Sequence, residues 1–261
     1  MSPREGLEGF AGGMLAGVAG GLFGVGGGVL LVPILTGRFR LTQHQAHGTS
    51  LAVIGLTALA GLAVYGAYAR VAWGTAAIVG LGSLATVRYG ARWANRLSTT
   101  GLRRAFALFL VVVAVRLLVF RTPEGTAAAF HHGWLGTGFD LLLGGAIGLL
   151  SGFMGVGGGM LAVPAFTLAL GMVQQVAQGT SLAVILLTGP AGAIEHARHG
   201  NVAWPLVPAL ALGAIAGAPL SSWFAQQLPH QALVRAFAVF LLANGLVSWF
   251  KAGPRRPVTD S

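Results

Sequence analysis

The residues of this chain best suited to chemistry are glycines, hydroxyls and neutral hydrogen-bonding side chains, and they come in two matching sets. Gly24-Val25-Gly26-Gly27-Gly28, continuing through Leu30, Val32 and Pro33, returns 131 residues later as Gly155-Val156-Gly157-Gly158-Gly159 with Leu161, Val163 and Pro164. Glycines that unwind a helix leave backbone N–H groups uncommitted, and the helix that follows begins with the positive end of its dipole. Such a break offers an anion site. The same glycines also suit close packing, because small residues let helix backbones approach. A nucleotide-phosphate role would need a preceding strand and an acidic residue about 20 positions on. No Asp or Glu occurs between Glu8 and Glu124.

Each glycine run is followed by a second polar group: Gly48 precedes Thr49 and Ser50, and Gly179 precedes Thr180 and Ser181. In apolar surroundings these hydroxyls either complete the coordination of an oxyanion or cap a helix and bond back to its preceding turn. His47 in the first half matches Gln178 in the second, and Gln43 matches Gln174. Both His47 and Gln178 hydrogen-bond as neutral groups near pH 7, and His47 can also carry a proton. The candidate substrate-binding residues are therefore Gly26, Gly27, Gly28, His47, Thr49 and Ser50, with Gly157, Gly158, Gly159, Gln178, Thr180 and Ser181. Asp140, the most interior acid, is either an interfacial charge or a second proton site.

Metal and catalytic chemistry find less support. His44 with His47, and His196 with His199, stand at i, i+3 and can share a helical face. Neither pair has a histidine counterpart in the other half, there is no cysteine, and Glu195 is the one acid beside the second pair. Interfacial histidines without a metal are expected, and no cofactor. Four of the six acids lie near the termini or in the central linker, which leaves no paired-Asp protease site. Ser151 is followed by Gly152, but its repeat counterpart is Gly20, so no nucleophile is shared by both halves and no enzyme is expected.

The elements that must position these groups are membrane helices. Of 261 residues 55% are hydrophobic and 8% charged, with mean hydropathy +0.76, whereas a soluble domain carries about 25% charged residues. An all-α polytopic membrane protein follows. The net charge of +10 belongs to the loops, and no aromatic-and-basic motif points to nucleic acid. The expected partners are the lipid bilayer and a small anion; a homo-oligomer is left open. Residues 1–8 show no cleavable signal.

The repeat runs on without a gap. Val71-Ala72-Trp73 matches Val202-Ala203-Trp204, and Arg104 to Ala107 matches Arg235 to Ala238. This divides the chain into a first repeat (1–121), a linker (122–133) and a second repeat (134–261). Apolar segments fall at about 7–36, 46–68, 71–93 and 103–120, and at about 135–170, 177–197, 203–224 and 232–250. The first of each set is too long for one span and is interrupted by glycines costing about 1 kcal/mol each and by a proline. Broken or re-entrant half-helices are expected there.

Loop charge supports re-entry. If segments 1 and 5 dip in and return, Arg4, Arg38, Arg40, Arg88, Arg92, Arg96, Arg103, Arg104, Arg198, Lys251, Arg255 and Arg256 share one side, leaving Arg70, Arg121 and Arg235 opposite. The basic side is then cytoplasmic, with both termini inside. Each half would cross three times, so the halves would be inverted, a transporter architecture.

The duplicated Gly-Val-Gly-Gly-Gly-x-Leu-x-Val-Pro followed by Gly-Thr-Ser-Leu-Ala-Val resembles the sulfite exporter TauE/SafE family, also called the 4-toluene sulfonate uptake permease family. The resemblance covers about 7–250. It implies an inner-membrane secondary transporter for sulfite, sulfonates or related sulfur anions, with Gly24 to Gly28, Gly155 to Gly159, Gly48 to Ser50 and Gly179 to Ser181 as its signature elements. The alternatives are a carrier of a different solute or a metal cation, and a non-transporting membrane scaffold. An interior poor in acids suits an anion, since a buried carboxylate would repel it.

Overall fold

Long apolar runs have one low-energy form in lipid, a helix whose backbone groups bond internally. The computed structural model describes residues 3–93, 99–120, 134–154 and 158–251. They form ten α-helices and, among the described residues, no strand: α1 (Pro3–Phe23), α2 (Gly28–Gly37), α3 (Gln43–Ala67), α4 (Trp73–Trp93), α5 (Thr99–Val119), α6 (Trp134–Met154), α7 (Gly159–Leu168), α8 (Gln174–Arg198), α9 (Val207–Gln227) and α10 (His230–Lys251). Six of these (α1, α3, α6, α8, α9 and α10) are long and apolar enough to cross a membrane. α4 and α5, which carry arginines within their length, fall outside that set. The expected linker, 122–133, lies outside the described residues.

The first segment of each half is broken at its glycines, as expected. The chain enters as α1, turns at Gly24 to Gly27 and comes back as α2, so that Arg38 at the end of α2 pairs with Glu8 near the start of α1. Along the hairpin, a methyl group at Gly12 would touch Ile34 Cγ2 at 3.2 Å, and one at Gly27 would lie 2.3 Å from the Ala16 carbonyl oxygen. Pro33 is the sixth residue of α2 and Pro164 the sixth of α7, so each short helix forgoes one backbone hydrogen bond at the same place. The end of the bundle that holds the starts of α1 and α3 is termed proximal below, and the other end distal. Helix directions place Arg4, Arg38, Arg40, Arg88, Arg92 and Arg198 at the proximal end and Arg70 and Arg235 at the distal end.

Packing repeats with the same offset of 131 as the sequence. α1 lies parallel to α9, with methyl positions at Gly13 and Gly17 falling 2.0 and 2.4 Å from the carbonyl oxygens of Leu210 and Ala214. Their counterparts Gly144 and Gly148, on α6, meet the carbonyl oxygens of Val79 and Ser83 on α4, each at 2.2 Å. At the centre α3 and α8 cross antiparallel: a methyl group at Gly48 would lie 2.1 Å from the Asn201 carbonyl oxygen at one end, and one at Gly179 would lie 2.1 Å from the Arg70 carbonyl oxygen at the other. Many of the described glycines outside the breaks thus serve backbone-to-backbone packing. The equivalent helices α3 and α8 run in opposite directions, so the halves are inverted.

Thr49 and Thr180 show the reciprocity most directly. Thr49 Oγ1 accepts from the Ala203 N–H (2.9 Å), and Thr180 Oγ1 accepts from the Ala72 N–H (3.0 Å). Each hydroxyl thereby pins the loop that ends the opposite repeat's central helix. Thr49→Val and Thr180→Val should each leave a loop amide without an acceptor and cost about 1–3 kcal/mol. Thermal unfolding in detergent is expected to show two similar losses. A severe loss in one and none in the other would break the equivalence.

Candidate substrate site at the paired helix breaks

The two breaks meet. A methyl group at Gly159 would lie 2.5 Å from Val25 Cα and 2.9 Å from the Gly24 carbonyl oxygen, so the start of α7 rests on the backbone of the first break. One at Gly26 would touch Ile185 at 3.3 Å and Ile54 at 3.4 Å, two fully buried residues that are repeat equivalents. Gly27 (φ 82) and Gly158 (φ 72) are left-handed N-caps of α2 and α7 with no side-chain cap, a conformation open to glycine at little cost. Their carbonyls accept from Leu30 and Leu31 (3.1 Å each), and from Leu161 (3.0 Å) and Ala162 (2.9 Å). The first amides of each helix have no acceptor within it. Gly157 lies outside the described residues; Gly159 and Gly26 face across the junction, Gly27 packs on Ala16 of α1, Gly158 packs on Ile147 and Ser151 of α6, and Gly28 is buried at the start of α2.

The polar side chains divide into committed and uncommitted groups. Ser181 Oγ donates to the Gly24 carbonyl (2.8 Å) and holds α8 against the first break. Ser50 is fully buried, and its hydroxyl has no partner. Gln178 is fully buried with Oε1 2.9 Å from Tyr65 Oη, while its Nε2 has no partner. Tyr65 Oη also lies 2.9 Å from the Gly21 carbonyl, so its single hydrogen is shared between two acceptors. His47 is buried on α3, and the Gln43 side-chain amide donates to its Nε2 over 2.8 Å. With Thr49 and Thr180 holding loops, the candidate side chains with a donor still unpartnered are Ser50 and Gln178, the latter against Gly24 of the first break.

Several contributors escaped sequence reasoning. Tyr65 belongs to no motif of its own; its one signal is that the repeat pairs it with His196, a polar residue at the same position in each half. His196 was expected at the interface. It is 2% exposed because the α3–α8 crossing encloses it: a methyl at Gly48 would meet its Cβ at 2.8 Å. Ser151, which has no serine counterpart in the first half, lies against the second break, its Cβ 3.2 Å from a methyl at Gly158. Asp140 is buried on α6, away from the junction. Arg116 is exposed and rests over the Phe120 ring at 4.6 Å, consistent with an arginine reaching the interface.

Among the described residues the junction offers donors and no acid. The nearest carboxylate on the central helices, Glu195, is buried at the proximal end of α8 and held by Arg92 Nε (2.9 Å) and Arg198 (3.6 Å). Among the described residues no three His, Asp or Glu side chains converge as metal ligands.

Comparison with known proteins agrees with this architecture. A sequence model of the family described as "Sulfite exporter TauE/SafE" matches residues 2–117 and 139–260, one stretch in each half. The chain is 27% identical to "Probable membrane transporter protein YunE" of Bacillus subtilis, over 89% of this chain and 93% of that one. It is 31% identical to a "Probable membrane transporter protein" of Xylella fastidiosa, over 91% and 92% of the two chains. A Haemophilus influenzae protein with the same description is 27% identical over 92% and 96%. No solved structure matches. A match that spans both inverted halves, with relatives aligned over nearly their full length, makes this multi-pass membrane protein a transporter of the sulfite exporter TauE/SafE family.

Proposed function

We propose that the protein is a secondary transporter of a small sulfur-containing oxyanion, sulfite or a sulfonate, bound between the paired breaks and moved across the inner membrane by alternating access. One observation carries the reading: the start of α7 rests on the backbone of the first break, which also abuts Gln178, whose buried amide, like the Ser50 hydroxyl, has no partner, and among the described residues no acid lies at the junction. Oriented amides and neutral donors bind an anion without a counter-charge that would trap it. The breaks touch, so cargo passes only if the α1–α2 and α6–α7 hairpins part, first toward one end and then toward the other. The basic proximal end faces the cytoplasm in this reading, which places both termini inside.

Purified protein in liposomes loaded with sulfite, thiosulfate, an arenesulfonate or sulfate should release at least one of them several-fold faster than empty vesicles do. Release at the rate of protein-free vesicles for all four would overturn the oxyanion. Flux that survives replacement of Gly26 and Gln178 would remove the site.

A further inference from the structure

We propose that the proximal end of the α3–α8 crossing is the coupling-ion site of this transporter and that the ion is a proton, held on His47 and His196. The inference rests on the transport reading above and adds the ion to it.

The argument begins with a broken symmetry. At the distal end Gln178 on α8 meets Tyr65 on α3, and Tyr65 reaches the Gly21 carbonyl on α1. Neither side chain titrates between pH 5 and 8. At the proximal end the equivalent positions are His47 on α3 and His196 on α8. Gly152 on α6, the equivalent of Gly21, presents its backbone to the His196 ring. The backbone around the two pairs is the same: a methyl group at Gly48 would lie 2.8 Å from the His196 Cβ, and one at Gly179 would lie 3.0 Å from the Tyr65 Cβ. One fold therefore builds the same junction twice, once with fixed hydrogen-bonders and once with two imidazoles, the side chains that change charge near neutral pH.

The surroundings fit a proton that is taken up and given back. His196 Nε2 is buried without a partner. Facing the ring are His44 on α3, and Glu195 and His199 on α8. Glu195 is itself occupied by Arg92 of α4 and by Arg198, so no free carboxylate holds an imidazolium in place. Gln43 is the neutral neighbour of His47. A proton gained here puts positive charge beside His44 and at one mouth of the anion site. It separates that mouth by like-charge repulsion and offsets the charge of an oxyanion crossing with it. The Gln178–Tyr65 pair has nothing to protonate, and His230 at that end is engaged by the Gln174 N–H at the start of α8 (3.1 Å).

The chain has no cysteine, so single reporters can be placed at will. Asn201 and Arg70 are repeat equivalents whose carbonyls face Gly48 and Gly179. Asn201→Cys and Arg70→Cys would be labelled with a polar maleimide in detergent from pH 8 to 5.5, in the native background and in His47→Gln/His196→Tyr. The double variant gives the proximal end the side chains its distal twin already accommodates. The ratio of proximal to distal labelling is expected to rise about fivefold or more on acidification with the histidines present and to stay flat without them. Comparing backgrounds cancels the pH dependence of the thiols. A ratio that is flat in both, or that rises equally in both, overturns the proposal. If the double variant aggregates on size exclusion, His47→Gln alone carries the comparison. A protein that moves the oxyanion with a flat ratio would keep its cargo and lose its proton, whereas a pH-sensitive ratio with no anion flux would do the reverse.

Discussion

Gly159→Ala is expected to abolish anion flux and to lower the unfolding temperature of the detergent-solubilised protein by about 6–12 °C. The new methyl would lie 2.5 Å from Val25 Cα and 2.9 Å from the Gly24 carbonyl oxygen. Both neighbours are backbone, and Gly24 is further anchored by Ser181. Neither can move aside as a flexible side chain would. Overpacking of this kind costs about 1–3 kcal/mol, at the upper end where backbone must shift, and for a chain of this size each kcal/mol is worth about 2–4 °C. Flux should suffer more than stability, because the displaced groups are the helix starts proposed to hold the cargo. Gly37→Ala is the matched control. Gly37 has open space around it and ends α2, so alanine there should be neutral or stabilising by less than about 1 kcal/mol. Wild-type flux and unfolding temperature in Gly159→Ala would show that the breaks do not touch as described.

Gln178→Leu is expected to slow transport by about 10- to 150-fold at limiting substrate. The carboxamide Nε2 is fully buried and has no partner, which makes it the side-chain donor with most to give an incoming anion. A hydrogen bond to a charged group is worth about 1.5–3 kcal/mol, which converts to that range of rates. Leucine keeps the bulk and removes both polar ends, so the hydrogen of Tyr65 passes wholly to the Gly21 carbonyl and stability should change by less than about 1.5 kcal/mol. The informative result is therefore a split between large loss of flux and small change in unfolding temperature. A Gln178→Leu protein that transports normally would exclude the carboxamide from the site.

The division of labour among the duplicated residues explains how far the sequence could be read. Membrane class, the two repeats and the breaks at Gly24 to Gly28 and Gly155 to Gly159 are legible because they rest on composition, on offset and on the local cost of adjacent glycines in a helix. The turn-back of α2 along α1 is legible too, since loop charge reports which end each segment returns to. A role for Thr49 is not. Its hydroxyl looks as suited to an anion as that of Ser50, yet it holds the Ala203 amide 154 residues away, while Ser50 remains without a partner.

The sequence by itself determined that this chain crosses a membrane as two related, glycine-broken halves with few acids, and it supplied the list of candidate binders. Only the tertiary structure decided which of them meet. It joined Gly159 to Val25, enclosed His196 against Gly48 and linked Tyr65 to Gln178. The reason is physical: the first contact depends on the seating of α7 on the break after α1, and the other two on the antiparallel crossing of α3 and α8. That crossing juxtaposes residues more than 100 positions apart, whereas periodicity and propensity report on only a few turns of chain.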